Sequence, residues 1–325
     1  MGRSTVSRVL NDDPRVRPET RERVLEIVRQ EHYQPNVIAR SLASGKSNVI
    51  GAVIPTAVET IFDDPYFPML IAGISAACAR AEALLLLWVA EPEYERRMID
   101  KVIRSGAVGG VVVWGGAIDD PLVTEIIASA RPFVLLGRHP HDSASYIDVD
   151  QVSGARGAVG HLVRSGRKRV ATITGPQDTT AALDRYAGYR RGLEDAGFVE
   201  ESELVAEGQW TELSGYNAML QLLPAKPDAV FAANDTMALG ALRALRESGL
   251  SVPGDVAIVG FDDIPAAAVA PPPLTTVRQP VRQIGELAAR TLLELIDQPE
   301  SAPRRIVVPT ELVVRASCGA NADPR

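Results

Sequence analysis

From Asn48 onward, short apolar runs alternate with segments that have the length and period of helices. Each run ends at Gly, Pro or a polar turn, and near-continuous apolar strands are typical of parallel sheets buried on both faces. The alternation predicts βαβ units in open, doubly wound sheets. The predicted strands are 48–54, 83–90, 108–114, 131–137, 169–175, 228–234 and 256–263, and the predicted helices include 91–105, 151–165, 184–196 and 235–248.

The predicted strands are too many for one such sheet, and they fall into two groups. The first group ends near Asp148 and the second begins near Arg169. A helix at about 281–297 and an apolar run at 304–317 supply material for both groups, so we expect the chain to cross between two subdomains more than once. Ligands in open α/β sheets bind outside the carboxyl ends of the strands, so two facing sheets place a cleft there. The predicted subdomains are 49–148 plus about 278–308, and 149–277 plus about 309–325.

Composition is that of an ordinary globular protein. Of the 325 residues 46% are hydrophobic and 23% are charged, which excludes a disordered chain and a coiled-coil rod. The longest apolar run, 83–90, is far shorter than the ~20 residues of a membrane helix. The polar N-terminus has no signal-peptide pattern, so we expect a cytoplasmic protein without a membrane partner. Cys78 and Cys318 have no metal-binding spacing and are expected to be free thiols.

The first 48 residues differ from the rest in charge. They contain nine Lys and Arg and six Asp and Glu residues, a net charge of +3, whereas the whole chain carries −7 and the remainder therefore −10. A basic arm on an acidic body is typical of a protein whose arm meets a polyanion. On charge alone, a solvated helix surface explains the pattern equally well.

This basic segment reads as a small helical module. We predict a helix at about 4–10, a turn at 11–18 and a helix at 19–32, with Pro18 and Glu19 in a favourable first turn. Val24, Ile27 and Val28 form the apolar stripe of the second helix.

A series of recognisable motifs runs along the chain, namely STVSRVLN (4–11), RVRPETRERVLEIV (15–28), YQPNVIARSL (33–42), VIGAVIP (49–55), DPYF (64–67), DRYAGYRRGLEDAG (184–197), AVFAANDTMALGALRAL (229–245), VPGDVAIVGFDD (252–263), PPLTTVRQP (272–280) and PTELVVRAS (309–317). These motifs resemble the lactose-repressor (LacI/GalR) family of bacterial transcription regulators. The match runs nearly end to end, with the motifs in the family's order. The resemblance implies a helix-turn-helix domain, here 1–34, a hinge helix and linker at 35–48, and a periplasmic-binding-protein-like effector core that works as a homodimer on double-stranded operator DNA.

The resemblance assigns residues 4–11 to the recognition helix. Such a helix needs polar side chains that reach base edges on one face and apolar packing on the other. By resemblance Arg3, Ser4 and Arg8 stand at base-reading positions, although both arginines could instead be phosphate contacts or solvated. Thr5 and Ser7 are further polar residues of this helix, and Tyr33 and Asn36 match positions near the DNA backbone.

The hinge segment is too short to be a stable helix alone, since isolated helices below ~12–15 residues are marginal in water. It therefore suits an element that folds when two copies meet over DNA. In the family, a leucine at the place of Leu42 wedges between base steps in the minor groove, and Ala39 and Arg40 also match. The alternative is an ordinary linker leucine.

The same resemblance predicts an effector site in the cleft. Asp262, Asn234 and Arg185 match effector-contacting positions, and Trp210 matches an aromatic position used for sugar stacking in some members. Asp148 and Phe67 are two further candidates. The alternative for the three polar residues is structural, as helix caps or loop bridges, and Asn234 or Asp235 is expected to cap the helix that follows.

An enzyme is not predicted. The chain has no GxSxG elbow and no HExxH motif, its four histidines are scattered, and the Asp262–Asp263 pair lacks an identifiable catalytic partner. We predict no cofactor and no metal site. The sequence favours a ligand-controlled regulator, specifically a repressor of carbohydrate-use genes with a sugar-like effector. The alternative is a small-molecule binding protein without DNA function.

Two expectations concern the chain ends. Only CGANADPR follows residue 317, without apolar heptads, so we expect a dimer and a pseudo-palindromic operator rather than a tetramer joined by a coiled coil. Family members carry a helix before the recognition helix, whereas Met1-Gly2 falls at the turn between the two. We therefore expect a native start ~15 residues upstream, in line with one helix of common length plus its lead-in.

Overall fold

A computed structural model describes residues 3–10, 13–31, 47–55, 58–89, 106–115 and 117–320. The predicted helix 91–105 and nearly all of the predicted hinge segment lie outside these residues. Within them the helices are α1 (Arg3–Leu10), α2 (Pro18–Gln30), α3 (Val58–Asp63), α4 (Tyr66–Arg80), α5 (Pro121–Ala128), α6 (Gln151–Arg164), α7 (Thr180–Glu194), α8 (Glu212–Leu222), α9 (Asp235–Glu247), α10 (Pro265–Val269) and α11 (Val281–Asp297).

The described strands form two six-stranded sheets. The first has the order β11-β5-β4-β3-β1-β2 and the second the order β12-β10-β9-β8-β6-β7. All neighbours are parallel except β12, which is antiparallel to β10. The strands are β1 (Val49–Ile54), β2 (Leu84–Val89), β3 (Gly110–Trp114), β4 (Phe133–Leu136), β5 (Tyr146–Val149), β6 (Val170–Thr174), β7 (Val205–Glu207), β8 (Ala229–Ala232), β9 (Ala257–Asp262), β10 (Thr275–Arg278), β11 (Arg305–Val308) and β12 (Glu311–Val313).

Each sheet and its helices form one lobe, which confirms the prediction of two doubly wound α/β subdomains. In the first lobe α4 and α11 cover one face of the sheet, where Ile50, Leu70 and Leu292 are fully buried. In the second lobe α8 and α9 cover one face and α6 and α7 the other. The central strands of both sheets are buried on both faces, as their near-continuous apolar sequences require.

The chain passes between the lobes three times. The first connecting segment, residues 149–151, joins β5 of the first lobe to α6 of the second. The second connecting segment, residues 278–281, returns from β10 to α11, and the third, residues 308–311, leads from β11 to β12. The three segments come from the middle and the end of the chain, so only folding brings them together.

One predicted strand is less buried than its sequence indicates. Leu84, Leu86 and Leu87 of β2 are exposed rather than buried on both faces. The physical reason is its place in the sheet, since β2 lies at the edge and, among the described strands, pairs with β1 alone. An apolar run therefore identified the strand correctly but not its position in the sheet.

The N-terminal module consists of α1 and α2, which contact each other and contain the buried Val9 and Val24. Of the predicted apolar stripe on α2, Val24 is buried whereas Ile27 is 47% exposed. Over the described part of the chain, every helix is too short or too polar to cross a membrane.

Candidate effector cleft and DNA-binding module

A cavity of about 240 Å³ lies between the two lobes, at the carboxyl ends of their strands. The last residues of four strands line it, namely Trp114, Leu136, Val149 and Asp262. This is where open α/β sheets bind ligands. All six residues singled out in the sequence line this one cavity, and their contact with a ligand stays a prediction: Phe67, Asp148, Arg185, Trp210, Asn234 and Asp262.

The centre of the cleft is an ion pair that is almost entirely shielded from water. Arg185 on α7 donates from Nη1 to Asp262 Oδ1 at 3.4 Å, and each side chain is only 6% exposed. Arg185 also lies over the ring of Phe261, 3.8 Å from its centroid, so the ring supports the guanidinium through a cation–π contact. Breaking a buried pair leaves an uncompensated charge, which costs about 3–5 kcal/mol.

Asp262 lies in surroundings that disfavour the ionised form of its carboxyl group. Burial raises the pKa of its carboxyl to about 7, Arg185 opposes this effect, and nearby Asp64 reinforces it. The backbone at Asp262 has φ = 120°, a conformation that non-glycine residues rarely adopt. Strained backbone and a perturbed pKa at a strand end are typical of a functional site.

Asp148 enters the cleft from the first lobe, at the end of β5. Its Oδ2 accepts from the backbone N–H of Arg138 at 3.0 Å, and its Oδ1 accepts from Gln151 Nε2 at 3.0 Å. Burial raises the pKa of Asp148, and these hydrogen bonds oppose the rise. The carboxylate is therefore fixed in position by the first lobe and by the first connecting segment.

Asn234 caps a helix, which is the structural alternative for this residue, and it also lines the cavity. Its Oδ1 accepts from the backbone N–H of Met237 at 2.9 Å, which makes it the N-cap of α9. Its Nδ2 donates to the backbone oxygen of Trp210 at 3.1 Å and so fixes that residue, whose φ is +63°. The cap confirms the expectation that Asn234 or Asp235 would cap this helix.

Trp210 lies against a position where any side chain would collide with it. A Cβ on Gly175 would stand 2.2 Å from Trp210 Cζ2, so the indole requires glycine at the position that directly follows β6. From the opposite lobe, Phe67 packs edge-to-face on Trp114, with ring centroids 5.3 Å apart, and on Tyr66 at 5.6 Å. The cleft thus has aromatic walls on both sides.

Sequence reasoning missed several residues of this cleft. Asp64, Tyr66 and Trp114 line it from the first lobe, and Gln151 and Gln279 from the connecting segments. Burial raises the pKa of Asp64 and of Tyr66. Asp64 and Tyr66 lie within the DPYF motif and Trp114 ends a predicted strand, and these positions are signals that could have located the three residues, since cleft residues follow strand ends.

Asp263 has a different role from its neighbour Asp262. It accepts from Arg278 Nε at 2.7 Å and from Arg315 Nη2 at 2.6 Å, so both of its oxygens are occupied by cations of the second lobe. Among the residues that the structure describes, no group of three or more His, Cys, Asp and Glu side chains is placed to hold a metal ion.

The structure describes only part of the predicted DNA contacts. Arg8 of α1 is exposed and Thr5 is half-buried. The turn before α2 is fixed by Asp13, whose carboxylate accepts from the backbone N–H and the guanidinium of Arg15. These bonds lower the pKa of Asp13 to about 2. The remaining predicted contacts lie outside the described side chains or residues: Arg3, Ser4, Ser7, Tyr33, Asn36, Ala39 and Leu42.

Comparison with known proteins identifies the family. The profile of the bacterial regulatory proteins of the lacI family matches residues 2–36, and that of the periplasmic binding protein-like domain matches residues 159–318. The HTH-type transcriptional regulator CelR of Thermobifida fusca is 38% identical over 98% of this chain and 95% of its own length. The chain belongs to the LacI family.

Solved structures of LacI-family proteins agree over the whole fold. A transcriptional regulator CelR–cellobiose complex has a TM-score of 0.81 at 36% identity, covering 98% of this chain and 96% of the other. The lac repressor dimer bound to operator and the anti-inducer ONPF has a TM-score of 0.84 at 28% identity, covering 98% and 95%. This LacI-family chain is therefore a DNA-binding transcription regulator, and the relatives that it resembles are regulators rather than enzymes. A binding protein without DNA function is not favoured.

Proposed function

We propose that the chain is a cytoplasmic, homodimeric repressor whose cleft binds an uncharged sugar without chemically altering it. The observation that carries the proposal is the convergence of a buried Arg–Asp pair and aromatic walls from both lobes on one cavity. Arg185, Asp262, Asp148 and Asn234 supply polar contacts, and Trp210 and Phe67 supply apolar ones.

The charges around the cleft favour a neutral ligand over an anion. Asp64, Asp148 and Asp262 line it, and among its described lining residues Arg185 is the only cation. Arg185 is already engaged, because its Nε donates to Gln151 and its Nη1 contacts Asp262. A carboxylate or phosphate on the ligand would face three acids and one cation that already contacts Gln151 and Asp262. Like charges at ~4 Å repel by several kcal/mol at an effective dielectric constant near 20.

The shape and chemistry of the walls fit a sugar. Sugar hydroxyls can donate to carboxylates and accept from a guanidinium, while the C–H face of a ring packs on an aromatic side chain. Both kinds of group line the cleft, and each lobe contributes both kinds. A relative with 36% identity has been solved as a complex with cellobiose, which makes an uncharged β-linked glucose disaccharide a suitable first probe.

At the DNA end, we propose that α1 reads base edges with Arg3, Ser4 and Arg8, aided by Thr5 and Ser7. Tyr33 and Asn36 would contact the DNA backbone, and Ala39 and Leu42 the minor groove. The net charge of +3 on the first 48 residues supports a polyanionic partner for this end of the chain.

The test compares cellobiose with its uronic-acid counterpart, in which one CH2OH group is a carboxylate, by calorimetry on the full chain. We expect the acid to bind at least about tenfold more weakly, which corresponds to ~1.4 kcal/mol. Asp64→Asn keeps an acceptor for the backbone N–H of Tyr66 but removes one charge, and should narrow the difference. Equal or tighter binding of the acid would contradict the proposal.

A further inference from the structure

A chain of buried side chains joins two of the three connecting segments through the centre of the cleft. Gln279, on the second connecting segment, donates from Nε2 to Asp262 Oδ1 at 2.5 Å. Arg185 contacts the same oxygen and donates from Nε to Gln151 Oε1 at 2.8 Å, on the first connecting segment. Gln151 in turn donates to Asp148. We refer to Asp148, Gln151, Arg185, Asp262 and Gln279 as the cleft relay.

Every member of the cleft relay is buried, which makes its connections specific. Gln151 and Gln279 are 7% and 4% exposed, and the three charged members are 5–7% exposed. Gln151 uses both ends of its amide, accepting from Arg185 and donating to Asp148, so the amide has one orientation. Buried polar groups lose stability when left without partners. A displacement of one member must therefore be followed by the others or break a hydrogen bond.

The third connecting segment is tied to the first by the backbone. The N–H of Asp150 donates to Val308 O at 2.9 Å, and Thr310 Oγ1 donates to Asp150 O at 3.5 Å. All three segments that join the lobes are thus linked, two of them through the cleft relay. A rotation of one lobe against the other has to change the backbone dihedral angles of these segments.

We propose that Gln151 and Gln279 are positioning residues that transmit the state of the Arg185–Asp262 pair to the connecting segments on which the lobes turn. The idea rests on the proposed function, since a sugar bound at Arg185 and Asp262 is what changes that state. The 3.4 Å contact of this pair is long for a hydrogen bond, so ligand hydroxyls can tighten or replace it. Either change therefore acts on Asp262, which Gln279 contacts, and on Arg185, which Gln151 contacts.

The test measures whether a change on the second segment is felt on the first, in the full chain without sugar. Gln279→Met removes the donor and keeps the side chain's length. Hydrogen exchange of the Val149 and Asp150 amides, followed by mass spectrometry, should accelerate about two- to tenfold, the range expected when one hydrogen bond is lost. Gln283→Met, an exposed change on α11, is the matched control and should leave these amides unchanged.

The double variant Gln151→Met/Gln279→Met decides between transmission and local loosening. If the relay acts as one unit, the combined acceleration is smaller than the product of the two single effects. Acceleration confined to residues 278–281 in Gln279→Met, or single effects that multiply, would overturn the proposal. If Gln279→Met does not fold, Gln279→Asn, whose amide is too short to reach Asp262, takes its place. Because no sugar is present, failure here is distinct from a wrong effector class.

Discussion

Two neighbouring carboxylates, Asp262 and Asp263, show how far the surroundings of a residue decide its role. Asp263 is neutralised by Arg278 and Arg315, whereas Asp262 shares one arginine at 3.4 Å and is buried near Asp64. The strand ends at Asp262, and the backbone there departs from the extended conformation, with φ = 120° at Asp262 and 59° at Asp263, so the two carboxylates lie in different surroundings. Only Asp262 faces the cleft.

Asp262 should make the stability of the protein depend on pH. Its pKa is 3.8 when unperturbed and about 7 in the folded chain, so the unfolded state releases the proton first as pH rises. The free energy of unfolding of the wild type, relative to Asp262→Asn, should fall by on the order of 2 kcal/mol between pH 5 and pH 8. Urea unfolding of both proteins across this range measures the difference.

Asp64, Asp148 and Asp235 also have raised pKa values, so the wild type alone should lose more stability than this single difference. Asp148 is present in both proteins and largely cancels in the comparison, whereas Asp64 and Asp235 interact with the charge of Asp262 and contribute to the measured difference. A difference that stays constant from pH 5 to pH 8 would mean that Asp262 is ionised throughout this range.

For single residues, the sequence indicated which side chains lie at strand ends but not which other side chains they contact. Arg185, Asn234 and Asp262 could be located because they follow or face predicted strands within recognisable motifs. Gln151 and Gln279 could not, because a glutamine at an element boundary resembles any solvated turn residue. Their importance comes from burial, which depends on contacts with residues more than 15 positions away.

At the scale of elements, continuous apolar runs located their strands well, and strands without such a run were missed. The predicted runs at 169–175, 228–234 and 256–263 became β6, β8 and β9 within two residues. β5 and β7 were not predicted, because each has only three or four residues and lacks a continuous apolar run. Short strands owe their existence to the neighbours with which they pair, and this information is not local.

Elements of the two lobes also meet directly beside the cleft. Arg138, which follows β4, donates to both carboxylate oxygens of Asp184 on α7, at 2.5 and 2.7 Å. Nearby, Ile118 donates its N–H to Asp178 O at 2.8 Å across the same gap. These contacts hold the lobes together on one side of the cavity.

Asp184→Asn should weaken cellobiose binding about two- to fivefold, because a partly exposed ion pair is worth up to ~1 kcal/mol and this one joins the two lobes beside the cavity. Calorimetry at low and high salt measures the effect, which should shrink as salt rises. Asp195→Asn is the matched control, since Arg156 donates to both of its oxygens within the second lobe alone. Equal losses of cellobiose affinity in the two variants would show that the contact of Arg138 with Asp184 between the lobes does not contribute to binding.

At the scale of the whole molecule, we expect a dimer, which has one basic N-terminal module per chain, to bind one two-fold symmetric DNA site. We expect light scattering at micromolar concentration to give twice the mass of the chain, and footprinting on DNA from upstream of its own gene to show two half-sites. Saturating cellobiose should change the affinity for this DNA, and the DNA should change the affinity for cellobiose by the same factor. A tetramer, or protection of a single half-site, would contradict this arrangement.

The threefold passage of the chain between the lobes also dictates when each lobe can be completed during synthesis. The first sheet begins with β1 at residue 49, yet its covering helix α11 and its edge strand β11 are encoded only at 281–308. Leu70 and Ile74 of α4 pack against α11, so they cannot be fully buried until more than two hundred further residues have been synthesised. The second lobe, continuous from residue 151 to 278 except for its edge strand, is therefore the first that can bury its core in a nascent chain.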